Sequence, residues 1–401
     1  MSRKKIYLCI GIFLLAAAAG IAFYRIYIKD EAGHVGDEIV YFGNSSGETD
    51  TDFVRAEEQT PAAESASPSM TAGAADSPTP AVSPTASPAE EEKEAYPKIT
   101  SNGKLKQYPS TGTAVIDGAG FEIYNYVEQH ASRYTKVINK FTKKLDAAVS
   151  VYDMVIPTSV DITFPDNKRK KLSSTPQEDA LKKIEKKLSG REKFIPLYDT
   201  MMRHRNEYIY FRTDHHWTQL GAYYAYSAFC GEKGIVPNPL SSYTKKISKG
   251  FMGSFYVDAF KDKTLKKDDV EMYHPLGKNI KMQYRNTGKK LSEGAVISDP
   301  TNYGLSGKYL AFIGGDNAYT LITNKDKHDG SRCIVVKESF GNAFVPFLAD
   351  HYEKVYVIDY RYWDGKLVDF VRKTRAKEVL LVNNISMTRN AYLIGMLSKI
   401  L

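Results

Sequence analysis

Residues 333–343 read Cys-Ile-Val-Val-Lys-Glu-Ser-Phe-Gly-Asn-Ala, an apolar β-branched run that stops at a charge and gives way to a hydroxyl, a glycine and an amide. On this reading a buried strand ends near Lys337. Gly341 permits a tight turn, and Asn342 can cap a helix running toward Pro346. The Ser339 hydroxyl would then sit at the positive end of a helix dipole, which favours an oxyanion forming on a bound substrate. Local capping is the competing role, because serine at such a turn readily hydrogen-bonds its own backbone.

Outward from that stretch the patterns alternate. Residues 122–145 recur apolar at helical spacing, 148–156 form a second β-branched run stopped by Pro157, and 177–188 return to helix. A short strand is expected at 194–197 and a long helix at 217–233. An irregular stretch rich in Gly and Lys follows. Strands are then expected at 309–313, 333–337, 354–358 and 377–382, with a helix between the second and third of these and a closing helix from Met387. Strands alternating with helices imply an α/β domain of three layers, a mainly parallel sheet flanked by helices. In that architecture the ligand site lies at the carboxyl ends of the strands.

A second chemistry-bearing stretch is Thr213-Asp-His-His-Trp-Thr218, directly before the helix expected over 217–233. In an extended backbone Asp214 and His216 share a face, so the carboxylate can orient the imidazole and leave its other nitrogen to act as a base. His215 would face away. Two other readings stay open. Asp214 or Thr218 can be a helix cap with the histidines packing, or Asp214, His215 and His216 can bind a metal with help from His204 or His351. No metal is the expectation.

The N-terminal residues 1–29 read as a membrane anchor or signal segment: Arg3, Lys4 and Lys5 precede an uncharged run over 6–24, long enough to cross a bilayer. Cleavage as a signal peptide is the rival, with Ala16 to Ala19 offering small residues. Both place the rest of the chain outside the cytoplasm. Residues 30–97 are rich in Pro, Ser, Thr and acid, with fifteen carboxylates against two bases, and read as a disordered linker. With a net charge of +8 for the whole chain, residues 98–401 are strongly basic. That suits anionic partners such as acidic glycans, wall polymers or lipid headgroups, and nucleic acid is not expected across a membrane. Of three cysteines only Cys230 and Cys333 fall in the domain; pairing is open, and simple burial is expected for Cys333.

Phe211-Arg-Thr-Asp-His-His-Trp-Thr-Gln-Leu-Gly-Ala-Tyr-Tyr-Ala-Tyr resembles the signature of the DHHW protein family, named for Asp214 to Trp217. Met154-Val-Ile-Pro-Thr-Ser, Gly315-Asp316-Asn317, and Glu338 to Ala343 followed by Pro346-Phe347-Leu348 fit its pattern in the same order, over about residues 112–401. Glu338 departs from it, since Asp is more usual there. The family is similar to the SGNH-hydrolase-like domains of bacterial exopolysaccharide O-acetylation, such as the alginate acetylation proteins. The resemblance implies an SGNH-like fold and a triad of Ser339, His216 and Asp214. It also implies a cell-surface polysaccharide as substrate and a membrane acyltransferase partner that delivers the acyl group.

The function expected is therefore acyl transfer, or ester hydrolysis, with Ser339 as nucleophile, and needing no cofactor. Its own amide, with Asn317 or Asn342, would donate to the oxyanion; Arg361 and Trp217 would line the sugar site, with Trp217 in the core as the alternative. A non-catalytic glycan-binding or scaffold protein is the other class.

Overall fold

Strands buried on both faces need apolar side chains in both directions, and the β-branched runs supply them. In the computed structural model, which describes residues 23–29, 35–41, 95–286 and 288–401, these runs form the centre of an eight-stranded sheet. Its strands in chain order are β1 (Ser150–Ile156), β2 (Lys193–Phe194), β3 (Ile280–Arg285), β4 (Ser292–Gly294), β5 (Tyr319–Asn324), β6 (Arg332–Lys337), β7 (Lys354–Asp359) and β8 (Glu378–Asn384). Their spatial order is β4-β3-β5-β7-β6-β8-β1-β2. The run from β7 to β2 is parallel; β5, β3 and β4 extend it in antiparallel pairs.

Alternation along each strand divides the core in two. Met154, Val335, Val357 and Leu380 point to one face, against helices Gln219–Lys233 and Gly341–Leu348. Val155, Val336, Ile358 and Leu381 point to the other, against Glu128–Thr142, Gln177–Lys187, Leu367–Thr374 and Ala391–Ile400. The expected three-layer α/β architecture is present. Cys230 and Cys333 are both buried and unpaired, and burial pushes both thiols above their ordinary value.

The departures lie on the antiparallel side of the sheet and in the segments outside it. Strands β3, β4 and β5 were not expected, nor were the hairpin of Thr244–Phe251 with Asp268–His274 and the small sheet formed by Lys106–Tyr108, Thr113–Ile116 and Ala119–Glu122. β3 and the first hairpin strand, Thr244–Phe251, carry lysines and bury few side chains, so neither shows a two-sided apolar run. The strand expected at 309–313 is instead a 3-10 turn, Lys308–Ala311. Positive φ at Ile313, Gly314 and Gly315 breaks any extended run there and turns the chain toward Asp316 and Asn317.

Within the segment read as linker, Val35–Tyr41 pairs with Phe23–Lys29, and its other residues up to 94 lie outside the described residues. So does nearly all of the run expected to cross a membrane. Among the described residues no helix is long and apolar enough to do so.

A carboxyl is also enclosed in the core. Asp153 in β1 is fully buried; it accepts from the Tyr134 hydroxyl at 2.5 Å, while its second oxygen has no partner. Burial pushes its carboxyl from 3.8 to about 7, against the opposing Tyr134 bond. The folded state therefore holds this proton more tightly than the unfolded chain, and stability falls as pH rises from about 4 through about 7. Asp153→Asn should flatten that slope, gaining up to about 4 kcal/mol over the parent at pH 8 and little at pH 4. Urea unfolding at both pH values measures it; parallel pH profiles would contradict it.

Candidate active site

The 211–218 loop is built from the carboxylates inward. Asp268, wholly buried, accepts from the Arg212 and Thr213 backbone amides at 2.9 and 2.7 Å and from the Thr213 hydroxyl at 2.5 Å. The Phe255 amide donates to the Thr213 carbonyl at 2.9 Å. With its base pinned, the loop bends at every residue from Arg212 to His216 instead of extending. Asp214 and His216 nonetheless meet, through an Asx-type turn. Asp214 Oδ1 accepts the His216 backbone N–H at 3.0 Å and lies 2.5 Å from its Nδ1. The bends correct the expectation for His215, whose ring lies 4.0 Å from that of His216 and does not face away. Thr218 is the helix cap, accepting from the Gly221 amide.

Ser339 follows β6 as expected, in a turn before helix Gly341–Leu348. Its Oγ lies 2.7 Å from His216 Nε2, so Asp214, His216 and Ser339 form one connected line. Two contacts fix the approach. Trp217 Nε1 donates to the Phe340 carbonyl at 2.9 Å, and the Tyr309 hydroxyl donates to the Ser339 carbonyl at 3.1 Å. The Tyr309 ring also stacks on His216 at 4.0 Å. Sequence reading missed Tyr309 because it was placed in a strand.

Electrostatics favour the ionised aspartate. Burial alone would push the Asp214 carboxyl up, but the charges of His216 and His215 and the bonds from His216 and the Ser254 amide outweigh it and hold it well below the usual range. Glu338 is different. Burial pushes its carboxyl up against Arg361 and the amides of Asn384 and Phe340, and its Oε2 lies 3.2 Å from Ser339 Oγ.

The remaining expected residues hold the site together. Arg361, expected at the sugar site, is engaged in ion pairs: it binds Asp359 with Nε at 2.9 Å and a terminal nitrogen at 2.7 Å, and reaches Asp316 at 3.0 Å. Lys337 completes this buried network with Asp359 and Asp316. Asn342 is no cap; its Nδ2 donates to Asp316 at 2.9 Å. Asn317 Nδ2 donates to the Ile313 carbonyl at 3.1 Å. Trp217 is fully buried, which settles it as core.

The Asp214–His216–Ser339 connectivity is what activation of a hydroxyl by a general base requires. Asp214, His215 and His216 can also bring one ligand atom each within 4.8 Å of one another, and among the described residues no other His, Cys, Asp or Glu group does so. Both His216 nitrogens already face partners. His204 and His351 do not join the group; they contact Glu207 and Tyr226.

A family model described as DHHW protein matches residues 82–358. The chain is similar to the crystal structure of a DHHW family protein from Eubacterium siraeum, with 29% identity and a TM-score of 0.67 over 76% of this chain and 99% of that one. It is also similar in fold to Bacillus cereus PatB1 with a sulfonyl adduct, at 18% identity and a TM-score of 0.57 over 74% and 99% of the two chains. The O-acetyltransferase domain of Pseudomonas putida AlgJ matches at 12% identity and a TM-score of 0.39 over 74% and 99%, too loose a likeness to bear on function. No curated protein matches.

Arg361 provides a test of this geometry. Arg361→Ala leaves Asp316 and Asp359 buried with Lys337 alone, so stability should drop by roughly 3–5 kcal/mol in denaturant unfolding. An unchanged midpoint would return Arg361 to the substrate.

Proposed function

This chain belongs to the DHHW protein family, and on that premise we propose that it is a serine-dependent acyl transferase or esterase acting outside the cytoplasm on a cell-surface polysaccharide. The observation that carries the reading is the 2.7 Å contact between Ser339 Oγ and His216 Nε2, backed by Asp214 at 2.5 Å from Nδ1. As His216 takes the hydroxyl proton, Ser339 Oγ attacks the acyl carbonyl. The tetrahedral oxyanion then collapses, expelling the donor's alkoxide, which receives the proton from His216. A sugar hydroxyl, or water, repeats the sequence on the acyl-enzyme and releases Ser339.

Asp214 holds the tautomer and offsets the imidazolium charge. The Ser339 amide makes no hydrogen bond among the described residues and is left to donate to the oxyanion. Asn342 donates only one of its two amide hydrogens to Asp316, so the other can serve beside it. Acetyl is the acyl group proposed, and the basic domain suits an anionic glycan as acceptor. Its donor is supplied through a membrane acyltransferase partner. The uncharged run over 6–24, kept as a single-pass anchor, holds the domain at the membrane. N-terminal sequencing of the mature protein should begin at the start of the chain; a start near Ala19 would mean secretion after cleavage.

Hydrolysis of a chromogenic acetyl ester tests the chemistry. Ser339→Ala should abolish turnover without changing the unfolding midpoint, and Asp214→Asn should slow it by up to about 10⁴-fold. Equal turnover by the parent and Ser339→Ala would leave a glycan-binding or scaffold protein.

A further inference from the structure

The family signature contains two adjacent histidines, and the proposed mechanism uses one. His215 is partly buried, and its Nδ1 lies 2.7 Å from Ser254 Oγ. Ser254 in turn donates its backbone N–H to Asp214 Oδ2 at 2.9 Å, on the oxygen that His216 does not occupy. The contact demands a residue without a side chain at 253, since a Cβ there would lie 2.2 Å from Asp214 Oδ2 and 2.3 Å from its Cβ. The Gly253 amide also donates to Thr213 Oγ1 at 3.1 Å, so the 253–254 backbone is fastened on both sides of Asp214.

We infer that His215 is a positioning residue: through the Ser254 hydroxyl it holds the Ser254 amide on Asp214, and so sets the carboxylate against His216. The connection runs from His215 to Ser254, Asp214, His216 and Ser339, and it rests on the acyl-transfer reading for its catalytic consequence. A mount of this kind acts on rate and not on substrate affinity, because His215 and Ser254 bear on the reaction only through the placing of Asp214 against His216.

The ester assay should therefore show kcat lowered roughly 10-fold, with KM unchanged, in both His215→Ala and Ser254→Ala. Since the two variants cut the same link, the double variant should lose no more than either single one. His215→Asn, whose amide can reach Ser254 much as Nδ1 does, should recover most of the rate.

A second measurement does not depend on turnover. The low-field proton resonance of His216 Nδ1 against Asp214 should shift or broaden in His215→Ala and Ser254→Ala and return in His215→Asn. Multiplying losses in the double variant, a change in KM alone, or an unmoved resonance in His215→Ala would overturn the inference. A parent protein inert toward the ester but with a responsive resonance would sink the acyl-transfer reading and leave the positioning role standing.

Discussion

Trp217 donates its indole N–H to the carbonyl of Phe340, and one residue away on each side His216 meets Ser339. Both contacts join parts of the chain 123 residues apart. The indole is wholly buried, so its apolar area drives the two segments together while its one donor sets their register. Without that register the imidazole and the hydroxyl would have to find each other in every catalytic cycle. With it, the cost of alignment is met on folding, before any substrate arrives.

The carboxyl end of the sheet concentrates charge in a small buried space. Asp316, Lys337, Asp359 and Arg361 balance as two acids and two bases, and each carboxylate touches both cations. Such a cluster contributes little net stability over apolar packing, but its members become rigid because losing any one leaves the others unpaired. Asp316 spends that rigidity on Asn342, in the first turn after Ser339. Glu338 joins the turn to β8 through the Asn384 amide, which ties the two neighbouring strand ends. The turn that carries Ser339 is thus held from the strand side by charge and from the loop side by Trp217 and Tyr309.

Much of this was legible in the sequence where burial on two faces enforces a pattern. β1, β6, β7 and β8 were each placed within about two residues, because a parallel strand between two helical layers is apolar in both directions nearly throughout, Asp153 being a buried exception. The antiparallel strands β3, β4 and β5 lack so continuous an apolar run and were not read as strands. At the site, residue identity was informative and local conformation was not. Asp214, His216 and Ser339 come together as expected, but through an Asx turn where alternation along an extended backbone was the reasoning. The same error turned His215 away from a ring it lies beside. Asp268, Ser254 and Tyr309 were out of reach, since each acts through a tertiary contact with no local signature.

The central claim is that Ser339 becomes covalently acylated with His216 as its base. Mass spectrometry of the intact protein and its peptides after brief exposure to an activated acetyl ester addresses it most directly. The account predicts one added acetyl group on the peptide holding Ser339, lost on incubation with water or a glycan acceptor and absent in His216→Ala. Acetyl scattered over surface lysines with Ser339 unmodified, or equal labelling of Ser339 in His216→Ala, would contradict it.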